Sequence, residues 1–183
     1  HQALKNGNPE NFKIYMGVVS AFNDEIKQQL LAGANKDGFT PQHEALINGG
    51  PENFEIYMAG VNLLDKGIRQ QLLAGANKDG FTPLHEALIN GNPENFAIYM
   101  DEVSALDDEI KQQLLTGANK DGFTPLLSAL KNGNLENFRV YMGAVNSLDQ
   151  GIRQHLLTGE NKAGFTPLHD VLINGNPESF KIY

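Results

Sequence analysis

Five histidines and several close-set carboxylates are the residues of this chain best able to do chemistry. Imidazole ligates metals and moves protons near neutral pH, so histidine spacing is the first test of a catalytic or metal-binding reading. His1, His43 and His85 stand 42 residues apart, and His169 lies two such steps beyond His85, so these four occupy one position of a repeat while His155 occupies another. Equivalent positions in adjacent units are a whole unit apart and cannot converge on one ion. The histidines are expected instead to fix the loop before a helix. The run Asp107-Asp108-Glu109 offers paired carboxylates for acid–base work, but its place ahead of an apolar stretch suits helix capping better. Phe54, Tyr57 and Met58 could be mistaken for a ligand box, yet the same residue types recur in every unit that covers them, which marks them as core. No phosphate-cradling glycine loop, nucleophile elbow or metal-ligand spacing occurs. The sequence therefore assigns no catalytic, cofactor or metal residue, and the chain reads as a non-enzyme.

Composition points the same way. The 183 residues carry 14 Lys+Arg against 22 Asp+Glu, a formal charge of −8, with no basic run. Such a surface argues against tracking phosphates, and so against a nucleic-acid partner. Cysteine is absent, leaving no disulfide framework or thiolate site. Apolar runs fall far short of the roughly 20 residues a membrane-spanning helix needs, and the start is not a signal peptide. The expectation is a protein without a membrane partner, intracellular and cytoplasmic, or delivered to a host cytosol if it is a secreted effector.

The elements that would position these residues come from the repeat. Gly-Phe-Thr-Pro begins at Gly38, Gly80, Gly122 and Gly164, each step 42 residues without insertion or deletion. Pro9, Pro51, Pro93 and Pro177 keep the same step, with Leu135 in place of one proline. The whole chain, 1-183, is one array with phases 1-42, 43-84, 85-126, 127-168 and a partial 169-183. Both ends fall inside a unit, so a fragment of a longer array is expected. A doubled period also shows: Asn23-Asp24-Glu25-Ile26-Lys27 matches Asp107-Asp108-Glu109-Ile110-Lys111, whereas Asp65-Lys66-Gly67-Ile68-Arg69 matches Asp149-Gln150-Gly151-Ile152-Arg153.

Within residues 80–121, Thr82-Pro83 is a helix start, threonine capping a free N–H and proline taking the first helical position. Leu84, Ala87 and Leu88 share one face, and Asn90-Gly91 is expected to close the helix in a left-handed conformation. Asn92-Pro93-Glu94 starts a second helix with the apolar stripe Phe96, Tyr99, Met100, Val103 and Leu106. Asp107 or Asp108 can cap a third, carrying Ile110, Leu114 and Leu115 and closed by Gly117; alternatively the second and third are one kinked helix. Ala118-Asn119-Lys120-Asp121-Gly122 is a turn. No segment alternates as a strand does, so the fold class is all-α, a helical repeat solenoid with two to three helices per 42-residue repeat.

Asp79-Gly80-Phe81-Thr82-Pro83-Leu84-His85-Glu86-Ala87-Leu88, preceded by Leu72-Leu73-Ala74-Gly75-Ala76-Asn77, resembles the ankyrin repeat, which joins a Thr-Pro-Leu-His helix start to a Leu-Leu-x-x-Gly-Ala helix end. The likeness recurs around Thr40, Thr124 and Thr166. It implies stacked helical hairpins, projecting loops and a concave surface that binds proteins. The ankyrin unit has about 33 residues, and the extra stretch here lies between the Asn-Pro-Glu start and the Leu-Leu-x-x-Gly end. A generic helical solenoid of about 40–47 residues per unit is the alternative fold. Gln42 replaces leucine in one Thr-Pro-Leu-His, Leu127 replaces histidine in another, and Glu160 replaces the alanine of Gly-Ala.

Positions that differ between units are expected to be exposed. On the second helix these are Lys13, Glu55, Ala97 and Arg139, and Gly17, Ala59, Asp101 and Gly143. On the first they are Glu44, Glu86, Ser128 and Asp170, and Lys5, Ile47, Ile89, Lys131 and Ile173. With the turn residues Lys36, Asp37, Lys78, Asp79, Lys120 and Asp121, the positions Glu44, Glu86 and Ser128 form the candidate protein-binding set; neutral surface drift is the other explanation for their variation. The expected function is a protein–protein interaction scaffold. The alternatives are a targeting or spacer segment of a larger enzyme or secreted effector, and a mainly structural array. Units that bury apolar stripes on one another also predict head-to-tail self-association through the ends.

Overall fold

The computed structural model describes residues 3–4, 7–132, 134–174 and 177–183, with the side chains of residues 132 and 174 left out. His1, Gln2 and Lys5 lie outside the described residues. Thirteen helices form among them, and no strand. They are α1 Pro9–Ser20, α2 Asp24–Ala32, α3 Pro41–Asn48, α4 Pro51–Val61, α5 Lys66–Ala74, α6 Pro83–Asn90, α7 Pro93–Ser104, α8 Asp108–Thr116, α9 Pro125–Asn132, α10 Leu135–Asn146, α11 Gln150–Thr158, α12 Pro167–Asn174 and α13 Pro177–Ile182.

Each Thr-Pro-to-Gly span thus makes three helices, not one short helix and one kinked one. Ala105 still has helical backbone angles, but Asp107 is extended at φ −57° and ψ 142°, which ends α7 and lets α8 start on a new axis. The starts form as their residues dictate. Thr82 Oγ1 accepts from the His85 N–H, and Asn92 Oδ1 accepts from the N–H groups of Glu94 and Asn95, meeting donors that the first helical turn leaves unpaired.

Helix ends depart from expectation. Gly91 is extended at φ −70° and ψ 145°, and Gly117 at −65° and 132°, so neither supplies a left-handed cap. The chain leaves α6 so close to its last turn that a Cβ on Gly91 would lie 2.3 Å from the Ala87 carbonyl oxygen. Ala87 O accepts the Gly91 N–H, and a side chain from another unit adds to it: Asn137 Nδ2, from α10, donates to both Ala87 O and Gly91 O, as Asn95 does to Ala45 O and Gly49 O. The left-handed glycines lie in the turns, at Gly38, Gly80, Gly122 and Gly164.

The helices pack on neighbours in rows. In one row α3 lies on α6, α6 on α9 and α9 on α12; in another α1 lies on α4, then α7, α10 and α13 follow in order. The short third helices lean on the two rows beside them. These principal contacts all fall within a unit or between consecutive units. Phe54, Tyr57, Phe96, Tyr99, Phe138 and Tyr141 are fully buried between rows, and Tyr99 donates from its hydroxyl to Leu73 O at 2.7 Å. The opposite side of those helices, at Lys13, Glu55, Ala97, Arg139, Gly17, Ala59, Asp101 and Gly143, is exposed as the variation between units predicts.

Candidate functional site

The histidines that invite a chemical reading are held in place. His85 Nδ1 accepts from the Thr82 N–H at 3.3 Å, which leaves the proton on Nε2 to bond Phe123 O, in the next turn, at 3.0 Å. His43 repeats the arrangement with Thr40 and Phe81. Both rings are buried, and burial pushes the His85 imidazole down to about 4 and lowers His43 as well, against the opposing pull of the carbonyl bond. A ring with both nitrogens engaged is a strut between units. His169 keeps its bond to Thr166, while His155 is exposed on α11. Among the described residues no three His, Asp or Glu side chains meet as metal ligands would. No described helix is long and apolar enough to cross a membrane.

The acidic run also works across units. Asp107 stands at the N-cap of α8 but makes no capping bond; it accepts from Lys66 Nζ at 2.7 Å and from Gln70 Nε2 at 3.0 Å, both on α5, and these bonds lower its carboxyl pKa. Asp108 pairs with Lys111 within its own helix.

The candidate binding residues divide by burial. Lys36, Asp37, Lys78, Asp79, Lys120 and Asp121 are exposed at the turns, whereas Glu44 and Glu86 are half-buried on α3 and α6. Ser128 is only 4% exposed and Asp170 only 7%, which corrects the expectation that this whole helical position faces solvent. A short side chain there stays below the level of its packed neighbours, while a glutamate reaches outward.

The turns themselves are rigidly built. Asn77 Oδ1 accepts from the N–H groups of Asp79 and Phe81, its own N–H donates to Phe81 O, and Gly80 at φ +87° lets the chain double back. Successive turns are also bonded together: the Lys78 N–H donates to Asp37 O, Lys120 to Asp79 O and Lys162 to Asp121 O. A Cβ on Gly80 would stand 2.8 Å from the Lys120 nitrogen, so only glycine permits this approach.

No protein-family model and no curated protein matches the sequence.

Two clefts lie where units differ. One, of about 320 Å³, brings Asp121 and Ser128 together with Phe81, Ile89, Phe123 and Lys131; the other candidate residues are not part of it. A second, of about 630 Å³, gathers Leu127, His155 and Glu160 with Gln112, Thr116 and Ile152. There Leu127 cannot accept from the Thr124 N–H as the imidazoles of His43 and His85 do at Thr40 and Thr82. The sequence reading missed the asparagine struts and the Lys66–Asp107 pair. Asn53, Asn95 and Asn137 recur every 42 residues beside the phenylalanine of each second helix, which is a signal in itself, since a polar residue repeated next to the core stripe has to be paired.

Proposed function

We propose that the chain is an ankyrin-like helical solenoid acting as a protein-binding scaffold, and that it offers a partner the turn edge of Lys36, Asp37, Lys78, Asp79, Lys120 and Asp121 with the adjoining Glu44, Glu86 and Ser128. The observation that carries this reading is the backbone ladder joining successive turns, which holds six exposed charged side chains on a preordered edge. A surface ordered before binding loses little conformational freedom on association. Lysine and aspartate alternate along it, and such mixed charge suits the polar rim of a protein interface and not a polyanion. The groups able to do catalysis elsewhere are committed to structure: His43 and His85 bridge units, and Asp107 is paired with Lys66.

The triple variant Lys36→Glu, Lys78→Glu, Lys120→Glu tests the reading, because it reverses charge at the edge without touching a buried group. In quantitative affinity capture from cell extract, the wild-type chain should enrich specific proteins that the variant loses. Identical recovery by both chains would rule out this surface.

A further inference from the structure

The cleft below the third turn arises from two residues of α9. Where α3 and α6 carry Glu44 and Glu86, α9 carries Ser128; where they carry Ile47 and Ile89, it carries Lys131. Exchanging glutamate for serine leaves only a short side chain at this position. The cleft is about 320 Å³, walled by the rings of Phe81 and Phe123 and by Ile89. Ser128 is only 4% exposed, lines this cleft, and donates its N–H to Thr124 O one turn back. Lys131 Nζ lies 5.4 Å from the centre of the Phe123 ring, and Asp121 lines the same cleft.

We propose that this cleft anchors one tyrosine side chain of the protein partner, an assignment that rests on the scaffold reading above. Two rings and an isoleucine favour an aromatic face over a small aliphatic one. The Ser128 hydroxyl, in the lining of the cleft, suits a polar atom at the tip of the ring, and a phenol can both donate to and accept from it. A phenylalanine would seal Ser128 away unpaired, so tyrosine is preferred by about tenfold. Charge narrows the choice further. An acidic side chain entering here meets Asp121 and a basic one meets Lys131, whereas the N–H and C=O groups flanking a tyrosine in a peptide suit that pair.

The test titrates the isotope-labelled full chain with N-acetyltyrosine amide and, separately, N-acetylphenylalanine amide, following backbone amide shifts. Saturable shifts confined to residues near Phe81, Ile89 and 121–131 are expected, with tyrosine about tenfold tighter. Ser128→Glu installs the residue found at Glu44 and Glu86 and should abolish the shifts while leaving the melting curve intact. Ser128→Ala, which keeps the space, should retain binding and erase the preference for tyrosine. Absence of saturable shifts, equal affinity of the two probes for the wild type, or persistence of binding in Ser128→Glu would overturn the proposal. The two readings fail separately. A captured partner lost by the turn variant but kept by Ser128→Glu overturns the pocket and leaves the scaffold standing; probe binding without any partner lost by the turn variant does the reverse.

Discussion

Gln42 is fully buried, and neither its Nε2 nor its Oε1 has a hydrogen-bond partner. Leu84, Leu126 and Leu168 hold the same position in other units. Gln42→Leu should therefore stabilise the chain by about 1–2 kcal/mol, the cost of burying an unpaired amide; a urea midpoint that fails to rise would show that the amide is satisfied in solution. The buried imidazoles make stability depend on pH. His85 titrates at about 4 in the folded chain against 6.5 unfolded, because burial disfavours its cation. The unfolded chain then binds more protons, so the contribution is complete above pH 6.5 and is lost as pH falls toward 4, by about 3 kcal/mol for this residue. His43 acts in the same sense. Glu86, raised by burial and by Glu44, acts in the opposite sense as its neutral form gains in the carboxylate range. Urea midpoints should fall between about pH 7 and pH 5, and His85→Leu should flatten that fall. An unchanged slope in the variant would mean that the ring is solvated.

Among the elements, the second helix of each unit buries the largest side chains. Phe96→Ala in α7 should cost about 3–5 kcal/mol, as large buried side chains do, while Ala97→Ser on the exposed side should change little; equal shifts in thermal melting would mean that the facing of α7 is wrong. Tyr99→Phe is a finer probe, since it keeps the ring and removes only the bond to Leu73 O at the end of α5. A loss of about 1–2 kcal/mol is expected from the unpaired carbonyl. Asn95→Ala should cost more, because one amide holds both Ala45 O and Gly49 O at the end of α3. If Tyr99→Phe proves the costlier, helix ends are closed by the hydroxyl and not by the asparagine.

At the scale of the whole chain, contacts run from unit to unit, so stability should be graded along it. Leu84, Leu88, Leu126 and Leu130 are covered on both sides, whereas Leu168 is 43% exposed and Leu172 68%. On the other side Tyr15 is 44% exposed while its equivalents Tyr57, Tyr99 and Tyr141 are buried. Amide exchange should be slowest in α6, α7, α9 and α10 and faster in α1, α2, α12 and α13. Uniform protection would show that the units unfold only together.

What the sequence determined by itself is whatever depends on near neighbours along the chain. Helix starts at Thr82-Pro83 and Asn92-Pro93 follow from local donors and a preset φ. The buried stripe of Phe96, Tyr99 and Met100 follows from helical spacing, and the repeat carries each reading to the other units. Tertiary structure decided what depends on groups meeting from different units. Asn137 reaches Ala87 across 50 residues, His85 reaches Phe123 across 38, and Lys66 reaches Asp107 across 41. Such pairs leave no local pattern, since the partner is often a backbone carbonyl that every residue possesses. Gly91 shows the difference at one position: a glycine after a helix reads as a left-handed cap, but the close return of the chain makes it extended. Ser128 shows the same for the candidate site, since variation between units marked it as different, and only the packing of α6 against α9 placed it at the buried floor of a cleft.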